Sequence, residues 1–108
     1  MSLRWPVKDP DEQLDYSVDW SRFLGSETID TVTWFVKTDL VAKTQIDAGE
    51  TVDGITNESQ TLSSDSKTAI ITLSAGTLNK EYIFICQIQH AETGNISERS
   101  IKINIRQK

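Results

Sequence analysis

Between Leu14 and Trp20 every second residue is apolar: Leu14, Tyr16, Val18 and Trp20 alternate with Asp15, Ser17 and Asp19. Successive side chains of a strand point to opposite faces, so this period puts the apolar four on one face and the acids on the other. A helix would scatter them around its circumference. The same period returns along the chain. Thr28 to Lys37 is rich in β-branched and aromatic residues and lines up Val32, Trp34 and Val36. Ile29 is out of phase and marks a bulge or the point where the strand begins.

Further on, Leu40 to Ile46 is a weaker strand candidate, and Ala48-Gly49-Glu50 and Asp53-Gly54 are turn signals. Ile55 to Lys67 is polar, with only Ile55 and Leu62 apolar, and reads as an edge strand followed by a loop. Thr68 to Leu73 is a short strand closed by Ala75-Gly76. From Glu81 to Ala91, Tyr82, Phe84, Cys86 and Ile88 alternate with Ile83, Ile85, Gln87 and Gln89. Its first half is apolar on both faces, as suits a central strand. Glu92 to Asn95 supplies a hairpin turn. Ile101, Ile103 and Ile105 then alternate with Lys102, Asn104 and Arg106, giving a strand with one wet face.

No segment carries a helical period. About seven antiparallel strands, roughly 8–14 residues apart, predict an all-β, immunoglobulin-like β-sandwich. It occupies residues 14–108 as one domain. Residues 1–13 form an extended N-terminal arm, because Pro6, Pro10 and four charged residues between Pro6 and Glu12 suit neither a helix nor a central strand.

The length, 108 residues, suits one domain, and 37% hydrophobic residues suffice for a core. Cys86 is the only cysteine, so stability must come from packing and strand pairing rather than disulfides. A lone thiol fits a reducing compartment or a particle assembled inside a cell. Eleven Lys and Arg against sixteen Asp and Glu give a net charge of −5, and the basic residues form no stripe. Phosphate backbones are bound largely through cations, so nucleic acid is not an expected partner. No apolar run approaches the roughly 18 residues of a membrane span. Met1 to Lys8 holds charges and Pro6 where a signal peptide would be apolar, so none is expected.

Candidates for catalysis are weak. Asp15 and Asp19 are roughly 13 Å apart on a strand, whereas paired glycosidase carboxylates sit about 5–9.5 Å apart. Asp9, Asp11 and Glu12 lack the spacing of a calcium loop. His90 is the single histidine and has no second cysteine or histidine to complete a zinc site. Four residues along one strand separate Cys86 from His90, too far for a nucleophile–base pair. No serine has a base nearby in sequence. The chain is therefore expected to be no enzyme and to bind no metal or cofactor. Trp20 and Trp34 are in phase with apolar faces and read as core. Trp5, in the proline-bounded arm, either folds back on the domain or is buried in another subunit.

Trp5-Pro6-x-Lys8-Asp9-Pro10-Asp11-Glu12-x-Leu14-Asp15-Tyr16-x-x-Asp19-Trp20 resembles the opening signature of a small tailed-phage and prophage family of fiber–tail adaptor, or tail structural, proteins. Leu24-Gly25, Thr28-Ile29, Thr33-Trp34, Leu73 to Thr77, Tyr82, Thr93-Gly94 and Glu98-Arg99-Ser100 continue the likeness over almost the whole chain. Asn95 departs from it, standing where the family often has arginine, and residues 43–66 are longer than the pattern. The resemblance implies a non-enzymatic virion component, assembled in the host bacterial cytoplasm. Its implied partners are other phage tail or fiber proteins, with a homo-oligomer in the particle. The expected interface is Trp5, Lys8, Asp9, Pro10, Asp11, Glu12, Asp15 and Asp19. The competing expectation is a stand-alone carbohydrate-binding or adhesin-type module, which requires Trp20 and Trp34 to face solvent.

Overall fold

The alternation seen in the sequence becomes two facing sheets in a computed structural model that describes residues 3–38 and 42–108. The strands are β1 (Leu3–Arg4), β2 (Leu14–Asp19), β3 (Ile29–Lys37), β4 (Thr44–Gln45), β5 (Thr51–Val52), β6 (Ile55–Leu62), β7 (Thr68–Ala75), β8 (Glu81–His90) and β9 (Ile96–Asn104). One sheet runs β1-β9-β8-β3-β4 and the other β2-β7-β6-β5. All neighbouring strands are antiparallel except β1, which lies parallel to β9. Leu40 and Val41, from the weaker strand candidate, lie outside the described residues. Of that segment, Thr44–Gln45 pairs with β3.

The two inner faces supply the core. Tyr16 and Val18 of β2 and Ala69, Ile71 and Leu73 of β7 face Trp34 and Val36 of β3, Phe84, Cys86 and Ile88 of β8, and Ile101 and Ile103 of β9. Trp20 and Trp34 are each only 1% exposed, as their phase requires. The register shift between Ile29 and Thr31 is the bulge that the out-of-phase Ile29 announced. β8 is the central strand of its sheet, and Ile85 on its outer face is also buried. Tyr82, at the start of β8, ties two turns together. Its hydroxyl donates to Asp53 O at 2.6 Å and accepts from Thr77 N at 3.0 Å.

Two segments differ from expectation. Residues 55–62 form the expected edge strand, paired with β7 and covered by β5 only at Thr51–Val52, but an irregular one. A bulge between Asn57 and Ser59 shifts the register there, so Ile55 and Asn57 point inward first, and Gln60 and Leu62 afterwards. The buried Asn57 amide takes an apolar residue's place by donating to Ile46 O and Gln60 Oε1. A polar, phase-shifted strand of this kind leaves no alternation to read. The second difference is α1 (Ser21–Leu24), a single helical turn. It drops Leu24 into the core and leaves Phe23 at 54% exposure.

Candidate functional site

The arm lies along the outer edge of β9. Trp5 N donates to Lys102 O at 2.9 Å, Lys8 N to Asn104 O at 3.1 Å, and Arg106 N to Lys8 O at 2.9 Å. These bonds bring Trp5 over the seam between the sheets, where it is 8% exposed. Its ring stacks on Tyr16 at 4.8 Å between centroids and meets Phe84 and Trp34 at 5.8 and 5.9 Å. Its indole N–H donates to Ser17 O at 3.1 Å, capping a carbonyl on β2. Of the two placements open to Trp5, this one is the fold back onto the domain.

Lys8 is fully buried. Its ammonium donates to Asp9 O at 2.9 Å and to Ala75 O at 2.5 Å, pinning the arm to the end of β7. Burial pushes its pKa below the usual lysine value, against the opposing pull of the Glu12, Asp9 and Asp11 carboxylates. A buried ammonium is tolerated when its protons find acceptors, and here backbone carbonyls serve.

The next residues make a closed turn. Glu12 N donates to Asp9 O, Asp9 N donates to Glu12 Oε1, and Asp11 N donates to Asp9 Oδ1. Lys108 joins them: its N donates to Asp9 Oδ2, and its ammonium lies 2.9 Å from Glu12 Oε1. The structure thus gathers Asp9, half-buried Pro10, Asp11 and Glu12 into one turn leading to β2. Asp15 and Asp19 follow on the outward face of β2, both exposed. Asp15 accepts from Thr72 Oγ1 at 2.5 Å, and Asp19 Oδ1 from Ser21 N at 2.9 Å. Trp5 and Lys8 belong to the interior while the arm is closed; the five acids are left to the surface.

These hydrogen bonds favour ionised carboxylates. The Asp11 amide, then the Lys108 amide, hold Asp9 below its ordinary 3.8. The Asp9 amide, then Lys108, hold Glu12 below its ordinary 4.5. Ser21 does the same for Asp19. Each depressed carboxylate contributes stability that is present above its unfolded pKa and lost as pH falls through the folded one. The thermal midpoint is therefore expected to fall modestly as pH drops below 4.5, since these carboxylates are solvent-screened. Paired Asp9→Asn and Glu12→Gln substitutions should flatten that slope, and an unchanged slope would count against the turn's role.

One constellation escaped the sequence reading. His90, 6% exposed, sits between Glu27 Oε1 (3.1 Å from Nδ1) and Ser97 Oγ (3.0 Å from Nε2), with Phe23 edge-on at 5.8 Å. The order of bonds is that of a nucleophilic triad. Both ring nitrogens are consumed in closing the end of the sandwich. Cys86 is inert by burial, which pushes its thiol up to about 12. Among the described residues, no three His, Cys, Asp or Glu side chains are grouped to hold a metal ion. The burial of Trp20 and Trp34 removes the exposed platform that a sugar-binding module would need.

The model of a family described as podophage GP4 fiber-tail adaptor protein gp77 matches residues 8–104. The matched stretch begins at the buried Lys8 and takes in the acidic turn and all of β2 through β9. No curated protein matches the chain.

Proposed function

Because the chain belongs to the podophage GP4 fiber-tail adaptor family, we propose that it acts without catalysis, joining tail and fiber proteins in the virion through its acidic turn and the outer face of β2. The observation that carries this reading is the exposure of Asp11, Asp15 and Asp19 on a framework whose backbone is fixed by hydrogen bonds. Such carboxylates suit a basic or hydrogen-bond-donating partner surface, and complementarity of this kind governs encounter and register. Assembly in the host bacterial cytoplasm agrees with a single buried, reduced cysteine. The immunoglobulin-like type of the sandwich is supported by its strand order and by the Tyr82 hydroxyl bound to upstream backbone.

The test is charge reversal. Asp11→Lys with Asp15→Lys is expected to leave folding within about 1 kcal/mol of the parent, since both side chains are exposed. Incorporation into particles should fall at least tenfold, and added salt should weaken the parent's association more than the variant's. Full incorporation of the folded double variant would overturn the assignment of the acidic surface.

A further inference from the structure

The arm is held by groups that a second copy would offer equally well. Apart from bonds within residues 8–12, its hydrogen bonds run to the body of the domain: it donates to Ser17 O, Lys102 O, Asn104 O and Ala75 O, and accepts from Arg106 N and Lys108 N. Its sheet pairing is brief, Leu3↔Ile101 and Arg4↔Lys102 with one further bridge at Lys8↔Ile105, and lies on an outer edge. Beside Trp5 runs a groove of about 240 Å³, lined by Arg4, Ser17, Val18, Asp19, Arg99 and Ile101 and open on one side. The closed arm also leaves the Tyr16 hydroxyl, stacked against Trp5 and 5% exposed at the residue level, with no hydrogen-bond partner among the described residues. Trp5 is therefore a plug in an edge seat with a way out.

We propose that neighbouring copies exchange this arm: Trp5 of one chain fills the seat of the next, and β1 pairs with the neighbour's β9. The hinge is residues 9–13, which have no strand pairing in this fold. Opened from its turn, that stretch spans about 17 Å, enough to carry the arm onto an adjacent molecule. The seat's contacts are the same whichever chain supplies the arm. Exchange then costs the turn's hydrogen bonds and the entropy of association. High local concentration in a particle offsets the latter. Passed head to tail, such an exchange closes a ring of identical subunits. It goes beyond the fiber–tail reading by naming the exchanged arm as the contact between copies of this chain.

Arg4 and Lys102 are register partners, and neighbouring strands lie within disulfide reach. The buried Cys86 does not compete. Arg4→Cys chains and Lys102→Cys chains are refolded together from urea at high protein concentration, then oxidised. The mixed disulfide is expected in several-fold excess over the share given by random collision. It should recede to that share when the Arg4→Cys chain also carries Trp5→Ala. A double Arg4→Cys, Lys102→Cys chain, oxidised at low concentration, should close its disulfide internally and verify the register. A mixed disulfide no more abundant than chance gives would overturn exchange. The charge-reversal result would stand in that case, because Asp11 and Asp15 lie outside the Trp5 seat.

Discussion

Trp5→Ala is expected to cost about 3–5 kcal/mol, the range for deleting a large aromatic from a core. That is a large part of the roughly 5–15 kcal/mol that holds a domain of this kind together. The loss has three sources. The ring stacked at 4.8 Å on Tyr16 and tilted against Phe84 and Trp34 disappears, leaving a cavity at the seam of the sheets. Ser17 O loses its donor. The two-residue pairing of β1 with β9 then has no side chain anchoring it, so the arm frays and takes the Lys8 pin with it. Urea unfolding checks this, and the thermal midpoint should drop by at least about 12 °C. A loss below about 1 kcal/mol would show that the sandwich stands without its arm. Trp5→Phe should fall between, since it keeps a ring in the seat but not the indole N–H.

How much of this the sequence could reveal depends on whether a residue's environment is set by its neighbours in the chain. β2, β8 and the second half of β9 alternate because each has a regular inner face, so their faces can be read residue by residue. β6 could not, because its bulge reverses the phase and Asn57 stands where an apolar residue would have signalled the interior. The turn Ser21–Leu24 is too short for any helical period to appear. Trp5 was undecidable from its surroundings, since its burial depends on Lys102 and Ser17 and on rings far along the chain. Lys8, expected at the interface, carries no local sign of burial. It is buried because Ala75, in the left-handed region at φ 61°, has a carbonyl within reach of the ammonium. The acidic surface was legible because Asp15 and Asp19 fall opposite the apolar face of β2. The Glu27–His90–Ser97 contact joins residues 63 and 7 positions apart, and no spacing rule reaches the longer of these.

Gly76→Val is expected to cost about 2–5 kcal/mol and to act at the same seat from the far side. Gly76 has φ +105°, where a side chain is strained, and a Cβ there would lie 2.9 Å from Ile105 Cδ1 and 3.0 Å from Cγ1. The strained backbone contributes about 1–2 kcal/mol and overpacking about 1–3 kcal/mol. The Ile105 tip can swing, but it is fully buried, so whatever it vacates or enters must be repacked. Ile105 is bridged to Lys8 in parallel register, and the Lys8 ammonium is bound to Ala75 O, next to the substituted position. Displacing Ile105 therefore pulls on both ends of the pin. Gly94→Val supplies the comparison: its φ is +76°, but nothing lies within 4 Å of its Cβ, so it should show the strain without the crowding. Unfolding free energies for the two variants separate these effects, and equal losses would remove the crowding argument. Combined with Trp5→Ala, Gly76→Val should cost less than the sum of the single losses. An arm already released cannot be released again, and groups sharing one seat are coupled in this way. Strict additivity would mean that the Lys8 pin and the Trp5 plug hold the arm independently.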